Sequence, residues 1–500
     1  MLRRPFKIDE PTCTGHQRGM DKCMWPARAG VLFLLCAAAA VGLPAQTFTT
    51  MFSFDNTNGA NPEAGLIQAR NGNFYGTTFN GGANGAGTVF RVTPGGTLTT
   101  LHSFCSQKNC KDGKNPAAGL IEATNGGLYG TTALGGANGG GEVFQISPSG
   151  TLTTLYSFCP QNGCPDGEYP YAGLIQATDG DFYGTTTGGG VHGAAGTVFQ
   201  ITTTGTLTTL YSFCAKAICI DGKNPRAGLV EATNGDFYGT TVHGGTNGDS
   251  GTVFQIAPNR TLTTLYSFCA TINCAAGAGA NPYDGLVEGA NGALYGTTTG
   301  GGVESDYGTV FQITQSGTLT TFLSFVGSNG AYPYAGLIRA TDGNFYGTTE
   351  FGGANKKGTV FQMTPSGTLT TLYSFCAQTN CTDGDAPDAG LVQATDGNFY
   401  GTTEYGGANN VGVVFSLSVG LGPFIKTEPT AGQVGVAVDI LGTHLTGATG
   451  VTFNGTAAGF TVKSSSEITT SVPVGATTGT VQVVTPGGTL SSNQPFRVLP

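Results

Sequence analysis

Residues 172–213 read AGLIQATDGDFYGTTTGGGVHGAAGTVFQITTTGTLTTLYSF, in which four short apolar or threonine-rich runs alternate with turn residues. The runs are AGLIQA, FYGTTT, GTVFQIT and TLTTLYSF. Asp179 and Gly180 separate the first two runs, and an Asp-Gly pair in this position is a strong hairpin signal because both residues tolerate positive φ. The stretch therefore predicts four antiparallel strands, which we call A, B, C and D.

This unit occurs seven times along the chain. Its Tyr-Gly-Thr-Thr motif returns every 51 to 57 residues and always follows Ala-Gly-Leu or Asp-Gly-Leu. A period above about 50 residues without helical spacing is typical of propeller blades, and seven lies within the usual blade numbers. The sequence thus predicts an all-β fold with a seven-bladed β-propeller over residues 46–420. The motifs begin at Tyr75, Tyr129, Tyr183, Tyr238, Tyr295, Tyr346 and Tyr400.

The two ends of the repeat region complement each other. Residues 47–54 resemble strand D but follow no A, B or C strand, and residues 413–418 resemble strand C but precede no D strand. Joining these strands in one sheet would close a ring and remove exposed sheet edges. In such a meander the long B–C and D–A loops share one face, which we expect to be the functional face.

The repeat is lost after Gly420. Residues 423–500 show Val/Thr alternation over several short runs and contain no cysteine. This length and strand density predict a small immunoglobulin-like β-sandwich as a second domain.

Composition and the N-terminal segment indicate the compartment. Only 10% of the 500 residues are charged, while 84 are Gly and 23 are Pro, which argues against an ordinary helical enzyme. Residues 29–43 form an apolar run that is short for a membrane span but suits a signal peptide. We expect cleavage near Ala45, so that residues 1–45 are removed; Met24 would open a more compact leader. An uncleaved membrane anchor is the alternative.

Charge excludes two classes of partner. The full chain carries a formal net charge of −9, and the leader holds more basic than acidic residues. Nucleic acids and anionic lipids require basic surface. We therefore expect neither nucleic acid nor anionic lipid as a partner. Because the apolar run of residues 29–43 would leave with the signal peptide, we also expect no integral membrane segment after cleavage.

Ten cysteines remain after the leader, and all ten fall into five pairs with the spacing C-x4-C. Repeats that lack one cysteine of the pair lack both, which favours five disulfides, each stabilising the fold by about 2 kcal/mol. Zinc binding would need further ligands, and redox catalysis would need closer spacing; we predict no metal. The pairs are Cys105/Cys110, Cys159/Cys164, Cys214/Cys219, Cys269/Cys274 and Cys376/Cys381.

Two resemblances follow from these residues. Repeats such as GLIQATDGDFYGTTTGGG followed by GTVFQITTTGTLTTLYSF resemble the GloVer tandem repeat, a propeller-like repeat of exported bacterial proteins, over residues 47–418. The tail, with ILGTHLTGATGVTFNGTAAGF, is similar to IPT/TIG domains, which are immunoglobulin-like. Neither resemblance implies a catalytic motif.

Candidate binding residues lie where the repeats differ. One variable position precedes Ala-Gly-Leu and the other follows Tyr-Gly-Thr-Thr, and both should lie on the long-loop face. Residues that vary between otherwise identical repeats are expected on a recognition surface. They are also expected on a solvent-exposed surface that has no function. The first position holds Glu63, Ala117, Tyr171, Arg226, Tyr283, Tyr334 and Asp388, and the second includes Glu350 and Glu404. From these and the B–C loops we predict ligand contacts for Tyr171, Arg226, Tyr283, Tyr334, Glu350, Glu404 and His243.

Other residues of the sequence suggest catalysis or cofactor binding. Glu350 and Glu404 occupy equivalent positions in neighbouring repeats, and paired carboxylates serve glycoside hydrolysis. His192 and His243 lack the context of a triad. The glycine-rich loops precede strands rather than helices, so we expect no dinucleotide cofactor. The aspartates of the Cys-x-Asp-Gly loops, among them Asp112 and Asp221, fit turns better than a calcium site.

The sequence therefore predicts a secreted or cell-surface protein that binds or adheres without catalysis. The expected ligand is extracellular, either a polysaccharide or a surface protein. The alternative is a carbohydrate-active hydrolase or lyase that uses Glu350 and Glu404.

Overall fold

A computed structural model describes residues 46–269, 279–303 and 306–500. The predicted signal peptide, residues 1–45, lies outside the described residues. Regular structure in the described chain consists of β-strands and three single-turn 3-10 helices, Lys108–Cys110, Ala217–Cys219 and Thr379–Cys381. The protein is all-β, as the sequence predicts.

Each repeat forms a four-stranded antiparallel sheet in the order A-B-C-D, and seven such sheets are present in the described repeat region. The A strands are Ile67–Gln68, Ile121–Glu122, Ile175–Gln176, Val230–Glu231, Val287–Glu288, Ile338–Arg339 and Val392–Gln393. The B strands are Phe74–Thr78, Leu128–Thr132, Phe182–Thr186, Phe237–Thr241, Leu294–Thr298, Phe345–Thr349 and Phe399–Thr403. The C strands are Thr88–Val92, Glu142–Ile146, Thr197–Ile201, Thr252–Ile256, Thr309–Ile313, Thr359–Met363 and Val413–Ser418. The D strands of the first six sheets are Leu98–Ser103, Leu152–Ser157, Leu207–Ser212, Leu262–Ser267, Leu319–Ser324 and Leu369–Ser374.

The seventh sheet takes its D strand from the beginning of the described chain. Thr47–Ser53 pairs antiparallel with Val413–Ser418, with Thr47 opposite Ser418 and Ser53 opposite Val413. A short extra pair, Gly279–Ala280 with Gly300–Gly301, lies beside the fifth sheet.

Hydrophobic clusters join each sheet to the next. At five junctions a tyrosine of strand B packs against the strand-B phenylalanine of the following sheet, as in Tyr129 with Phe182, whose ring centroids are 4.3 Å apart. The same contact joins Tyr400 of the seventh sheet to Phe74 of the first, at 4.1 Å. Because the last sheet packs on the first as each sheet packs on its neighbour, the sheets form a closed ring of contacts.

The Tyr-Gly-Thr-Thr motif is explained by this packing. A Cβ atom on Gly76 would lie 2.7 Å from the ring of Phe90, so only glycine fits beneath that ring. The hydroxyl of Thr77 donates to the Ala118 carbonyl of the next sheet. The hydroxyl of Thr78 meets that of Thr88 in its own sheet. The two buried threonines are therefore satisfied, one between sheets and one within a sheet.

The C-terminal region forms two further four-stranded sheets that share one hydrophobic core, including Val438, Ile468 and Val483. The first contains Lys426–Glu428, Ala437–Leu441, Glu467–Ser471 and Phe460–Val462. The second contains Thr456–Ala458, Gly450–Phe453, Val481–Thr485 and Gly488–Ser491. A parallel pair, Ala431–Gly432 with Arg497–Val498, completes the region.

Candidate functional site

The glycines of the repeated Ala-Gly-Leu motif approach one another around the centre of the ring. A Cβ atom on Gly119 would lie 2.9 Å from the carbonyl oxygen of Gly65, and one on Gly65 would lie 3.1 Å from that of Gly390. The first separation is shorter than real Cβ contacts and the second is tighter than most of them, whereas the equivalent separations at Gly173 and Gly228 are 3.6 and 3.4 Å. Backbone from neighbouring sheets therefore approaches most closely at Gly119 and Gly65, and we call the whole circle of Ala-Gly-Leu glycines the waist of the ring.

Above the waist lies a cavity of about 420 Å³ with walls from all seven repeats. Its side-chain walls come from the variable position before Ala-Gly-Leu, together with Glu350. This is the side of the long B–C and D–A loops, and we call it the open mouth. The structure thus brings together five of the seven predicted ligand contacts, namely Tyr171, Arg226, Tyr283, Tyr334 and Glu350.

One half of the open mouth is aromatic and cationic. The Arg226 guanidinium carbon lies 4.8 Å from the ring centroid of Tyr171 and 5.2 Å from that of Tyr283. Tyr283 in turn meets Tyr334 edge to face, with centroids 4.9 Å apart. Cation–π contacts of this kind hold a guanidinium in place while leaving its N–H donors free. Arg226 is therefore positioned to face a ligand.

The other half of the open mouth is a cluster of carboxyl groups. Burial raises the pKa of Glu63 to about 8, helped by the charges of Glu404 and Asp388 and opposed by Arg226. Burial raises the pKa of Glu350 to about 8, and Asp388 and Glu404 raise it further. Carboxyl groups that retain protons near neutral pH are poor anions but good hydrogen-bond donors.

Asp388 is the most confined member of this cluster. Burial, with the charge of Glu404, raises its pKa to about 7. Its Oδ1 atom is buried and has no hydrogen-bond partner in the described part of the chain. Glu404 is not a wall residue of the cavity but lies close enough to influence these carboxyl groups. Burial raises its pKa, while the hydroxyl of Tyr405 opposes the rise.

Asp284 supplies the negatively charged part of the cavity floor. It replaces the alanine of Ala-Gly-Leu in the fifth repeat, and its carboxylate accepts the backbone N–H groups of Gly285 and Gly336, each at 2.6 Å. The sequence shows this residue only as a variant of the motif. Glu63 and Asp388 were visible as variable residues but were not among the predicted ligand contacts.

His243 lies away from the cavity walls. Its backbone pairs with Lys223, and its Nδ1 atom is 3.4 Å from the carbonyl oxygen of Asp249. Asp249 also forms an ion pair with Lys223 at 3.1 Å. The B–C loop of this repeat therefore folds back on the neighbouring D–A loop, and the predicted ligand contact of His243 stays a prediction.

The cysteine pairs lie in the D–A loops around this face. In four of the five predicted pairs the Cα atoms are 3.9–4.2 Å apart and the sulfurs are joined, which fits the predicted disulfides. Cys274 of the fifth pair lies outside the described residues. The loop aspartates hold the same loops, since Asp112 accepts the N–H groups of Ser106 and Gln107 at 2.9 and 3.0 Å. These contacts support the turn interpretation of the aspartates.

The opposite side of the waist is covered. A second cavity of about 420 Å³ lies between apolar A-strand residues and the C-terminal segment 426–431. Arg70 joins the C-terminal region to the ring through ion pairs with Glu428 of this segment at 3.2 Å and with Asp439 of strand Ala437–Leu441 at 3.0 Å. Burial lowers the pKa of Lys426 to about 8. We call this side the covered mouth.

These features define an all-β repeat protein whose sheets surround a polar cavity. The chain belongs to the Gloeobacter/Verrucomicrobia repeat family, whose model matches residues 27–232, 218–415 and 338–465. The match confirms the resemblance drawn from the repeats. No curated protein matches the sequence significantly.

Solved structures show a likeness in fold. A fungal alcohol oxidase of the AA5 family, solved in complex with copper, is 13% identical, with 91% of this chain and 99% of that chain covered and a TM-score of 0.51. At this identity the likeness concerns the fold alone. A puromycin hydrolase also matches at 10% identity, 77% and 59% coverage and a TM-score of 0.45. A putative 6-phosphogluconolactonase from Bacteroides uniformis matches at 16% identity, 71% and 99% coverage and a TM-score of 0.41.

A search of the described residues for membrane spans gave none, since no helix there has the required length and apolar character.

Proposed function

We propose that the seven sheets are the blades of a β-propeller spanning residues 46–420, and that residues 423–500 form an immunoglobulin-like domain of the IPT/TIG type. The closed ring of contacts and the two C-terminal sheets around one core support this arrangement. We also propose that the protein is exported after removal of residues 1–45. Its joined cysteine pairs support export because disulfides persist in oxidising compartments.

We propose that the protein is a secreted or cell-surface binding protein without catalytic activity, and that its ligand enters the open mouth. One observation carries this proposal: residues that differ between otherwise similar repeats converge on a single cavity. Repeated residues such as Tyr75 and Phe90 are buried between sheets instead. The residues that vary between repeats are therefore concentrated where a ligand could contact them.

A polysaccharide suits this cavity better than a protein surface does. A cavity of about 420 Å³ accommodates one or two sugar rings, whereas standard protein interfaces are broad surfaces. Tyr171 and Tyr283 present aromatic rings on which a sugar can stack. At the rim, Phe351 and Tyr405 are 42% and 41% exposed and extend the aromatic surface.

The test is a glycan array followed by prolonged incubation with each bound glycan. We expect binding to at least one polysaccharide class with no change in its chain length. Tyr171→Ala and Tyr283→Ala should each weaken binding about tenfold, whereas His192→Ala, on the same face but outside the cavity walls, should not. A failure to bind any glycan, or equal binding by all three variants, would contradict the proposal.

A carbohydrate-active hydrolase or lyase is the second candidate. It is favoured by the raised pKa of Glu350, about 8, because a carboxyl group that is protonated near neutral pH can act as a general acid. Cleavage of a polysaccharide that is abolished by Glu350→Gln or Glu404→Gln would establish this candidate and overturn the first.

A further inference from the structure

Asp284 shows which chemical group the backbone amides of the waist can bind. Both of its carboxylate oxygens are bound by backbone amides, Oδ1 by Gly285 and Oδ2 by Gly336 of the next sheet. Both N···O distances are 2.6 Å, and hydrogen bonds to a charged acceptor are shorter and stronger than those between neutral groups. A carboxylate therefore fits across the amides of two successive waist glycines.

The equivalent place in other sheets is empty of any side-chain acceptor. Ala118 occupies the position of Asp284 in the second sheet, and its Cβ faces Gly173 of the third sheet at 4.0 Å from the Cβ position built there. Within the described residues, the amides of Gly119, Gly173 and Gly228 donate to no protein acceptor. All three glycines line the open-mouth cavity. They offer a contiguous arc of free donors.

The surroundings of this arc suit an anion. Tyr171 and Arg226 stand beside it on the third and fourth sheets, and the small side chain of Ala117 leaves space above the second sheet. The carboxyl groups of Glu63, Asp284 and Asp388 belong to the first, fifth and seventh sheets, outside the three sheets that carry the arc. Arg226 can present its N–H groups to the same ligand oxygens, since stacking between two tyrosines leaves those groups free.

We propose that the amides of Gly119, Gly173 and Gly228, together with Arg226, form a subsite for the carboxylate of a uronic-acid sugar. The inference rests on the proposed function and deepens it by naming the ligand class as an acidic polysaccharide. The sugar ring stacks on Tyr171 while its carboxylate takes the place that Asp284 occupies in the fifth sheet. The two oxygens of a carboxylate match the separation of two successive amides, which the Asp284 contacts demonstrate within this chain.

Isothermal titration with tetragalacturonate and with its fully methyl-esterified form tests the subsite, because esterification removes the charge and keeps the sugar. We expect the acid form to bind about tenfold more tightly, an advantage of roughly 1.4 kcal/mol. Ala118→Asp places a fixed carboxylate on the amides of Gly119 and Gly173, so it should abolish this preference and leave binding of the ester nearly unchanged.

Asp284→Ala is the matched variant that works in the opposite direction. It restores the residue that the six other repeats carry, so folding should be retained, and it frees two amides beside Arg226. We expect binding of the acid form to tighten several-fold with little change for the ester. Thermal unfolding of both variants in the absence of sugar checks that each is folded.

The outcomes separate the inference from the proposed function. Equal binding of acid and ester, or a preference that neither variant alters, would overturn the uronate subsite while leaving a glycan-binding protein in place. Binding of neither form would also overturn the subsite, and the neutral glycans of the array then decide the proposed function independently. An Ala118→Asp variant that does not fold leaves the Asp284→Ala measurement as the deciding one.

Discussion

The two mouths of the ring are built from the same seven repeats, but their residues are similar between repeats at the covered mouth and variable at the open mouth. At the covered mouth, the second residue of strand A is Gln or Glu in six sheets, and all six side chains accept a backbone N–H from the preceding sheet. Examples are Arg70 N to Glu122 and Thr395 N to Gln68, both at 2.8 Å. At the open mouth, the residue before Ala-Gly-Leu changes from sheet to sheet and its side chain borders the cavity. In this chain, uniform residues hold the sheets together, and the changing residues are available to a ligand.

The two mouths also differ in how they are closed. Segment 426–431 lies across the covered mouth, where Arg70 is held by two carboxylates and by the carbonyl groups of Ala123 and Thr124. Among the described residues, the open mouth is bordered by side chains and by the waist glycines of the repeats themselves.

The largest effect is expected from Arg70→Ala. The Arg70 side chain is 11% exposed, so its removal leaves the Asp439 carboxylate without this ion pair and leaves Glu428 to the charge of the nearby Lys426. Removing one partner of a buried ion pair costs about 3–5 kcal/mol, and because the two carboxylates are 29% and 22% exposed, denaturant unfolding should show a loss near the lower end of this range. Arg260→Ala, at an exposed turn, is the control and should change stability by less than about 0.5 kcal/mol. Equal losses for both variants would show that the C-terminal segment does not depend on Arg70.

A smaller effect is expected at the waist, where two glycines make a matched pair. The Cβ of Gly119→Ala would lie 2.9 Å from the Gly65 carbonyl oxygen, whereas that of Gly173→Ala would lie 3.6 Å from the Gly119 carbonyl oxygen. Overpacking against backbone costs about 1–3 kcal/mol, so Gly119→Ala should lower the free energy of unfolding by this amount. Gly173→Ala should lower it much less. Similar values for the two would mean that the Gly65 carbonyl oxygen does not restrict the side chain at position 119.

Much of this architecture is predictable because its signals are local. The Asp-Gly turns, the alternating strands and the period of the repeat lie in the printed sequence, and the structure shows the expected four-stranded sheets. Variation between repeats also pointed to Tyr171, Arg226 and their equivalents. The C-x4-C spacing predicts paired cysteines, and four of these pairs are joined in the described loops.

The remaining features depend on residues that are distant in sequence. Gly65 meets Gly390, and Asp284 reaches Gly336 in another repeat, so neither contact has a local signature. The same holds for Arg70 with Glu428 at the covered mouth. His243 was singled out by its place in a variable loop, yet its own repeat holds it through Lys223 and Asp249. Local pattern alone does not tell which loop residues turn toward the centre.

The smallest expected effect concerns the pH dependence of stability, and it belongs to the open mouth. Glu63 and Glu350 have pKa values of about 8 in the folded protein and an ordinary value of 4.5. Between these values the unfolded chain loses protons that the folded chain retains, so stability is fully present below about pH 4.5 and falls as pH rises toward 8. Glu63→Gln and Glu350→Gln should therefore raise the melting temperature relative to wild type near pH 8 and leave it unchanged near pH 4.5. Because both side chains are only partly buried, each gain in the free energy of unfolding should stay below about 1 kcal/mol.

Thermal unfolding between pH 4.5 and pH 8 measures this difference. If the stability of the wild-type protein did not change over this pH range, the open-mouth carboxyl groups would be hydrated and would not interact with one another.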